Sequence, residues 1–159
     1  MKSVIVETTK YVLDYLKTIA PNALCRRAYD PIADIVELRA ANKPIILVVP
    51  IDRTGELLRE GGTVKNDLII DIVVNAKLQH SAEEPELQVA EIDQLIELVE
   101  MIFAGCHKRN IKDDENGIEI HLMNPEHVVL SDIEMIQERN CFLSAIQINV
   151  KVFIDDLIN

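Results

Sequence analysis

Four histidines, three cysteines and a surplus of carboxylates are the groups in this chain able to hold a metal or move a proton. Cys106 and His107 are adjacent, and neighbours on a helix point in different directions, so the two cannot easily share one ion. His121 and His127 flank Asn124-Pro125, and together with Cys141 they could converge on zinc; the alternative is surface histidines beside a turn. Asp113-Asp114-Glu115 and Glu83-Glu84 read as solvated runs in exposed loops. Asp113, Glu115 and Gly117 faintly resemble the alternating oxygen ligands of a calcium loop, but the ring of ligands is incomplete. Gly61-Gly62 lacks the Lys and Ser/Thr that a phosphate-cradling loop needs, and reads as a flexible turn. No GxGxxG, GxSxG or HExxH pattern occurs. The residues therefore assign no catalytic, cofactor or metal site, and the expectation is a protein that is not an enzyme and takes no cofactor.

Composition narrows the partners. The chain has 159 residues, 27 acidic against 16 basic, and a net charge of −11. That charge disfavours direct binding to a nucleic-acid backbone or an anionic membrane surface, both of which need clustered Lys/Arg. The dibasic pairs Arg26-Arg27 and Lys108-Arg109 are too small for a nucleic-acid footprint. Aromatics are 4% of residues and Trp is absent, which argues against a base-stacking platform. At 48% apolar and 27% charged, the chain belongs with globular proteins, and its length fits one domain over residues 1–159. Cys25, Cys106 and Cys141 are odd in number and widely spaced, as expected of buried thiols in a reducing compartment. The N-terminus lacks a secretory pattern, and the longest apolar run, Ile45 to Ile51, is too short to cross a bilayer, so a soluble protein made in a cytoplasm is expected.

The elements that would position any site follow from periodicity. Ile5, Val12, Leu13, Leu16 and Ile19 fall on one face of an N-terminal helix stopped by Pro21-Asn22. Residues 23–29 allow a short strand, and Asp30-Pro31 looks like a helix start. The β-branched run at 44–50, closed by a proline at each end, predicts a strand buried on both faces. The polar stretch 52–66 reads as a long loop, of the kind that tends to be functional or mobile. A strand is predicted over 67–78. Ile92, Leu95, Ile96, Val99, Ile102, Phe103 and Cys106 trace the stripe of a long helix from Pro85, with Gly105 and Lys108 suiting its end. Residues 107–117 read as a charged loop, 118–123 as a strand broken by Asn124-Pro125, and 127–130 as another short strand. Ser131-x-x-Glu134 fits a capping box for a short helix, with a hairpin through 138–140 as the competing reading. From Cys141 to Ile154 the chain alternates for fourteen residues, about twice a usual strand, so it can reach past its own sheet or pair with a neighbouring subunit. The sum is an α+β domain with a mixed or antiparallel sheet of about four or five strands, carrying one long and one N-terminal helix.

The piece from Asp132 to Ile146, in which a short helix leads to Phe142, Ser144 and a closing strand, resembles the C-terminal end of tail terminator and related neck proteins of tailed bacteriophages. The strand end Val48-Val49-Pro50 and the strand-then-helix pair around Ile70 and Ile96 are similar too. This resemblance, a pattern of elements over nearly the whole chain, implies a homohexameric ring at the top of the tail. Such a ring stops tail-tube polymerisation and joins the tail to the head connector, while DNA passes through the lumen without specific binding. It implies assembly in the host cytoplasm and a place in the virion afterwards, and it brings no catalytic residues.

On that reading, Arg53, Glu56, Arg59, Glu60 and Lys65 in the 53–66 loop are candidates for contact with the tube or a neighbouring ring. Gln147, Asn149, Lys151 and Phe153 on the last strand are candidates for subunit pairing. A different class stays open: a small acidic cytoplasmic binding or inhibitor module, similar to immunity proteins, whose target is basic. An enzyme with an unrecognised carboxylate cleft is the third possibility.

Overall fold

The computed structural model describes residues 3–60 and 63–155. In chain order these form α1 (Val4–Ile19), β1 (Leu24–Arg27), α2 (Ile35–Ala41), β2 (Ile45–Glu60), β3 (Thr63–Lys77), α3 (Pro85–Cys106), β4 (Arg109–Asp113), β5 (Ile118–Val129), α4 (Ile133–Arg139) and β6 (Cys141–Asp155). Local chemistry sets the helix ends. The Ser3 hydroxyl accepts from Val6 N, Asp34 from Val36 N and Asp132 from Met135 N, each satisfying a first-turn donor. Asn42 and Asn140 close α2 and α4 in the left-handed conformation, at φ 50° and 49°. The short helix before the last strand is thus real, and it is capped by Asp132 where the capping box placed Ser131. Helix α3 holds the predicted span from Pro85 to Cys106.

The strands make one six-stranded sheet in the order β1-β2-β3-β6-β5-β4. Only β1 and β2 run parallel. The expected α+β class is what the chain adopts, with six strands in place of four or five. Strand β4 comes from a stretch expected to be a charged loop; Ile111, facing Ile120 in the register, is its one apolar residue. The two short strands expected on either side of Asn124-Pro125 are a single strand, β5, with a register shift between Leu122 and Pro125. A bulge absorbs the proline that a regular ladder would exclude. The expected loop over 52–66 is also strand: β2 runs to Glu60 and pairs with β3 out to Glu60↔Thr63. Gly61-Gly62 lies outside the described residues.

Two apolar layers sandwich the sheet. On the first face, Val12 and Leu16 of α1 and Val99 and Ile102 of α3 pack on Ile46, Ile70, Ile72, Ile120, Leu122 and Ile148. On the second face, Leu38 of α2 and Met135 of α4 pack on Ile45, Leu47, Val73, Leu143 and Ala145. The β-branched start of β2 is buried on both faces, as its composition predicts.

Gly105 lies inside α3, and its role is the crossing with α1. A Cβ there would meet Ile19 Cδ1 at 2.8 Å, and the Tyr15 hydroxyl donates to the Gly105 carbonyl at 2.6 Å. Lys108, at φ 49°, takes the left-handed turn just after the helix. Tyr11 ties α1 to the β4–β5 turn by donating to Asp113 Oδ2 at 2.7 Å. Burial and that carboxylate push the Tyr11 hydroxyl up to about 12. Asp113 also accepts from Asn116 N at 3.1 Å and Nδ2 at 2.7 Å, so it builds a turn where a calcium loop had been weighed.

The segment leading into α2 is held by a buried amide. Asn75 Oδ1 accepts from Ala33 N at 3.3 Å, and its Nδ2 donates to the Pro31 carbonyl at 3.2 Å. Asn75→Ala strands both backbone groups and should cost about 1–3 kcal/mol. Urea unfolding followed by circular dichroism measures it, and a midpoint equal to that of the parent chain would remove Asn75 as the anchor of this segment.

Candidate functional site: the uncovered half of a sheet face

The two faces are covered unequally because their helices differ in length. Helix α3 has 22 residues and α1 has 16, about 33 and 24 Å of cylinder. Helices α2 and α4 have seven residues each, about 10 Å, over a sheet whose central strand β6 has 15 residues and runs about 50 Å. The second face is therefore roofed only where Val73, Leu143 and Ala145 lie. Beyond them the face is open.

The open half is a grid of polar side chains set by register. Gln147, Asn149, Lys151 and Phe153 occupy successive same-face positions of β6. Across β3 they face Asp71, Ile69, Asp67 and Lys65 respectively. Across β5, Lys151 faces His121 and Phe153 faces Glu119. Asn149 and Lys151 are exposed, whereas Gln147 and Phe153 are half-buried. The Lys65 ammonium lies 5.7 Å from the centre of the Phe153 ring, and the His121 ring tilts against the same ring at 5.0 Å. His121 Nε2 is 3.0 Å from Glu119 Oε1, close but without the alignment of a hydrogen bond. Cations and carboxylates alternate over this patch, so it presents no single sign of charge.

The four residues proposed for subunit pairing thus form one contiguous row. The route expected for them is corrected, however. Strand β6 is hydrogen-bonded along both sides, to β3 from Lys77↔Cys141 to Thr63↔Asp155 and to β5 from Val129↔Ala145 to Ile118↔Ile154. It has no free edge to offer a neighbouring subunit, and Gln147, Asn149, Lys151 and Phe153 can meet one only through their face. Of the residues proposed for tube contact, Lys65 joins this patch. Arg53 is exposed on β2, where its guanidinium donates to the buried Asn66 carbonyl oxygen. The structure holds Arg53 and Lys65 on paired strands, not in a loop. The side chains of Glu56, Arg59 and Glu60 lie outside the described residues.

The histidine and cysteine set does not converge. His127 stacks on Phe103 of α3 at 4.5 Å and places Nε2 3.1 Å from Glu100 Oε1, so it belongs to the first face, while His121 belongs to the second. Cys141 is buried and donates to the Arg139 carbonyl. Among the described residues, no group of three or more His, Cys, Asp or Glu is placed to hold a metal ion. All three thiols are free. Burial pushes Cys106 up to about 12 and raises Cys25, so neither is a ready thiolate at neutral pH. Ser144, quoted in the resemblance, is buried and donates to the Val129 carbonyl at 3.0 Å, beside the register shift between His127 and Val129. Among the described residues, no helix is long and apolar enough to cross a membrane.

Sequence reasoning missed a second feature. Two adjoining hollows of about 660 and 460 Å³ lie between α2 and α4, sharing Ile32, Glu138 and Arg139 in their walls. No periodicity signals them, because their walls come from elements about a hundred residues apart. No protein-family model matches the chain, and none of the curated proteins does.

Asp71 stands where the roofed half meets the open half. Burial raises its carboxyl above the ordinary range, and a 3.2 Å hydrogen bond from Gln147 Nε2 to Oδ1 opposes that shift. A carboxyl raised in the folded state gives stability below its unfolded value of 3.8, lost as pH climbs through the folded value. Asp71→Asn should therefore raise the urea midpoint at pH 7, and the gain should vanish below pH 3.8. Paired unfolding curves from pH 3 to 8 check the sign, and a pH-independent difference would show that desolvation of Asp71 is not the cause.

Proposed function

We propose that the protein is a structural virion component of a tailed bacteriophage: a ring-forming tail terminator or neck protein that caps the tail tube and joins the tail to the head connector. The observation that carries this reading is the half-open second face. A fold that spends two long helices on one face and leaves half of the other face to Asn149, Lys151, Phe153 and their cross-strand neighbours keeps a broad contact surface available. Mixed charge gives such a surface register without one-sign repulsion between identical copies. The net charge of −11 suits a lumen through which DNA slides, since carboxylates repel the phosphate backbone and prevent sticking. The Phe142 and Ser144 pattern and the order of elements support it through the resemblance. Assembly takes place in the host cytoplasm, and no cofactor or catalytic step is part of this role.

Purified protein should form rings, alone or with tail-tube protein, seen by electron microscopy down the symmetry axis. The mass from light scattering should be a multiple of the 18.0 kDa chain. Asn149→Asp combined with Lys151→Glu should reduce that mass to a monomer while the thermal transition moves by no more than about 2–4 °C, as expected of exposed positions. A strict monomer under both conditions would end the ring reading. Rings undiminished by the double substitution would move the subunit contact off this row.

A further inference from the structure

The two hollows between α2 and α4 make a continuous groove on the roofed half of the second face. Its floor is apolar: Val73, Leu143 and Ala145 of β3 and β6, with Met135 beside them. Two large apolar side chains of its wall stand in solvent, Ile32 at 45% and Val128 at 54% exposure. The rim is acidic. Six carboxylates line the two hollows against two guanidiniums, Arg39 and Arg139. Asp30, Asp34 and Asp132 are engaged by backbone N–H donors of Ile32, Val36 and Met135, so they are fixed in place. Glu134 and Glu138 project from the exposed side of α4.

We propose that this groove docks a basic segment of a partner protein, one that seats large apolar side chains on the floor and sets flanking Lys or Arg against the rim. Charge complementarity selects this occupant. The rim's excess of carboxylates repels an acidic segment, and a second copy of this chain offers only Arg26-Arg27 and Lys108-Arg109 as paired cations within a net charge of −11. The exposed Ile32 and Val128 disfavour a merely cationic strand, which would leave their apolar area in water. Asp71, at the edge of the floor and bonded by Gln147, gives one inward carboxylate within reach of an anchored cation. The inference is independent of the ring reading, because the row Asn149–Lys151 that carries that reading lies on the other half of the face.

The test uses two fluorescent fifteen-residue peptides of Leu and Lys, one alternating and one with leucines at helical spacing, and a Gly/Lys peptide of equal charge as control. Anisotropy titration at low and physiological salt should show one Leu/Lys peptide binding at least about tenfold more tightly than the Gly/Lys control. Backbone amide shifts should move at Ile32, Val128 and Glu138. Ile32→Ser with Val128→Thr should weaken the Leu/Lys peptide about tenfold or more and leave the Gly/Lys control unchanged. Glu134→Gln with Glu138→Gln should flatten the salt dependence. Equal affinity for the Leu/Lys and Gly/Lys peptides, shifts confined to the open half of the face, or no binding by either Leu/Lys peptide would overturn the proposal. Concentration-dependent shifts at Ile32 and Val128 without peptide would overturn it in favour of a second copy as occupant.

Discussion

Everything in this fold is arranged around one strand that is hydrogen-bonded on both sides and buried on both faces at its start. Strand β6 pairs residue for residue with β3 over fifteen positions, and with β5 on its other side. Its first residues, Cys141 to Ile146, are all buried, alternately against the two apolar layers. A strand of this length with both ladders filled demands equally long partners. Strand β3 meets it over all fifteen positions, and β2 follows β3 out to Glu60 through a mostly polar stretch. Backbone pairing with β3 keeps that stretch extended.

Helix length then divides the labour between the faces. The first face carries two helices long enough to span most of the sheet, and the Tyr15 bond to Gly105 and the Tyr11 bond to Asp113 fix α1 to its neighbours. The second face has two roofs of about two turns each, both pinned by a polar contact. Asn75 holds the lead-in to α2, and Asn140, whose Nδ2 donates to the Leu78 and His80 carbonyls, holds the end of α4. The result is one face in two chemical states: an apolar, acid-rimmed groove where the short helices stand, and an open polar grid where they stop.

This division decides what was legible in the sequence. Helix α3 and strand β6 were readable because each buries a regular stripe, with period 3.6 or 2, against a continuous layer. The fourteen-residue alternation also held the length of the sheet, but the polar stretch 52–66, which holds the end of β2 and the start of β3, carried no matching alternation. Strand β4 was hidden for the same reason: Ile111 alone faces the core. The row from Gln147 to Phe153 could be placed on one face from alternation, whereas its cross-strand neighbours Lys65, Asp67 and His121 depend on register and long-range pairing. The groove depends on α2 and α4 meeting over the sheet, which no local pattern encodes.

The end strands bear on how such a molecule can associate. Strands β1 and β4 each have a side unpaired within the sheet, the usual liability for edge-to-edge addition. Here both are short, four and five residues, and both are charged: Arg26 and Arg27 on β1, Arg109, Lys112 and Asp113 on β4. Short, charged ends are the devices by which natural sheets refuse to grow, so sheet extension from copy to copy is opposed at both termini of the strand order. Strand β1 covers β2 only over Ile45–Val48, so this protection does not extend along the rest of β2 towards Glu60. Of the two faces, the first is sealed by α1 and α3, and the second offers the register of its alternating charges and apolar side chains held at a carboxylate rim.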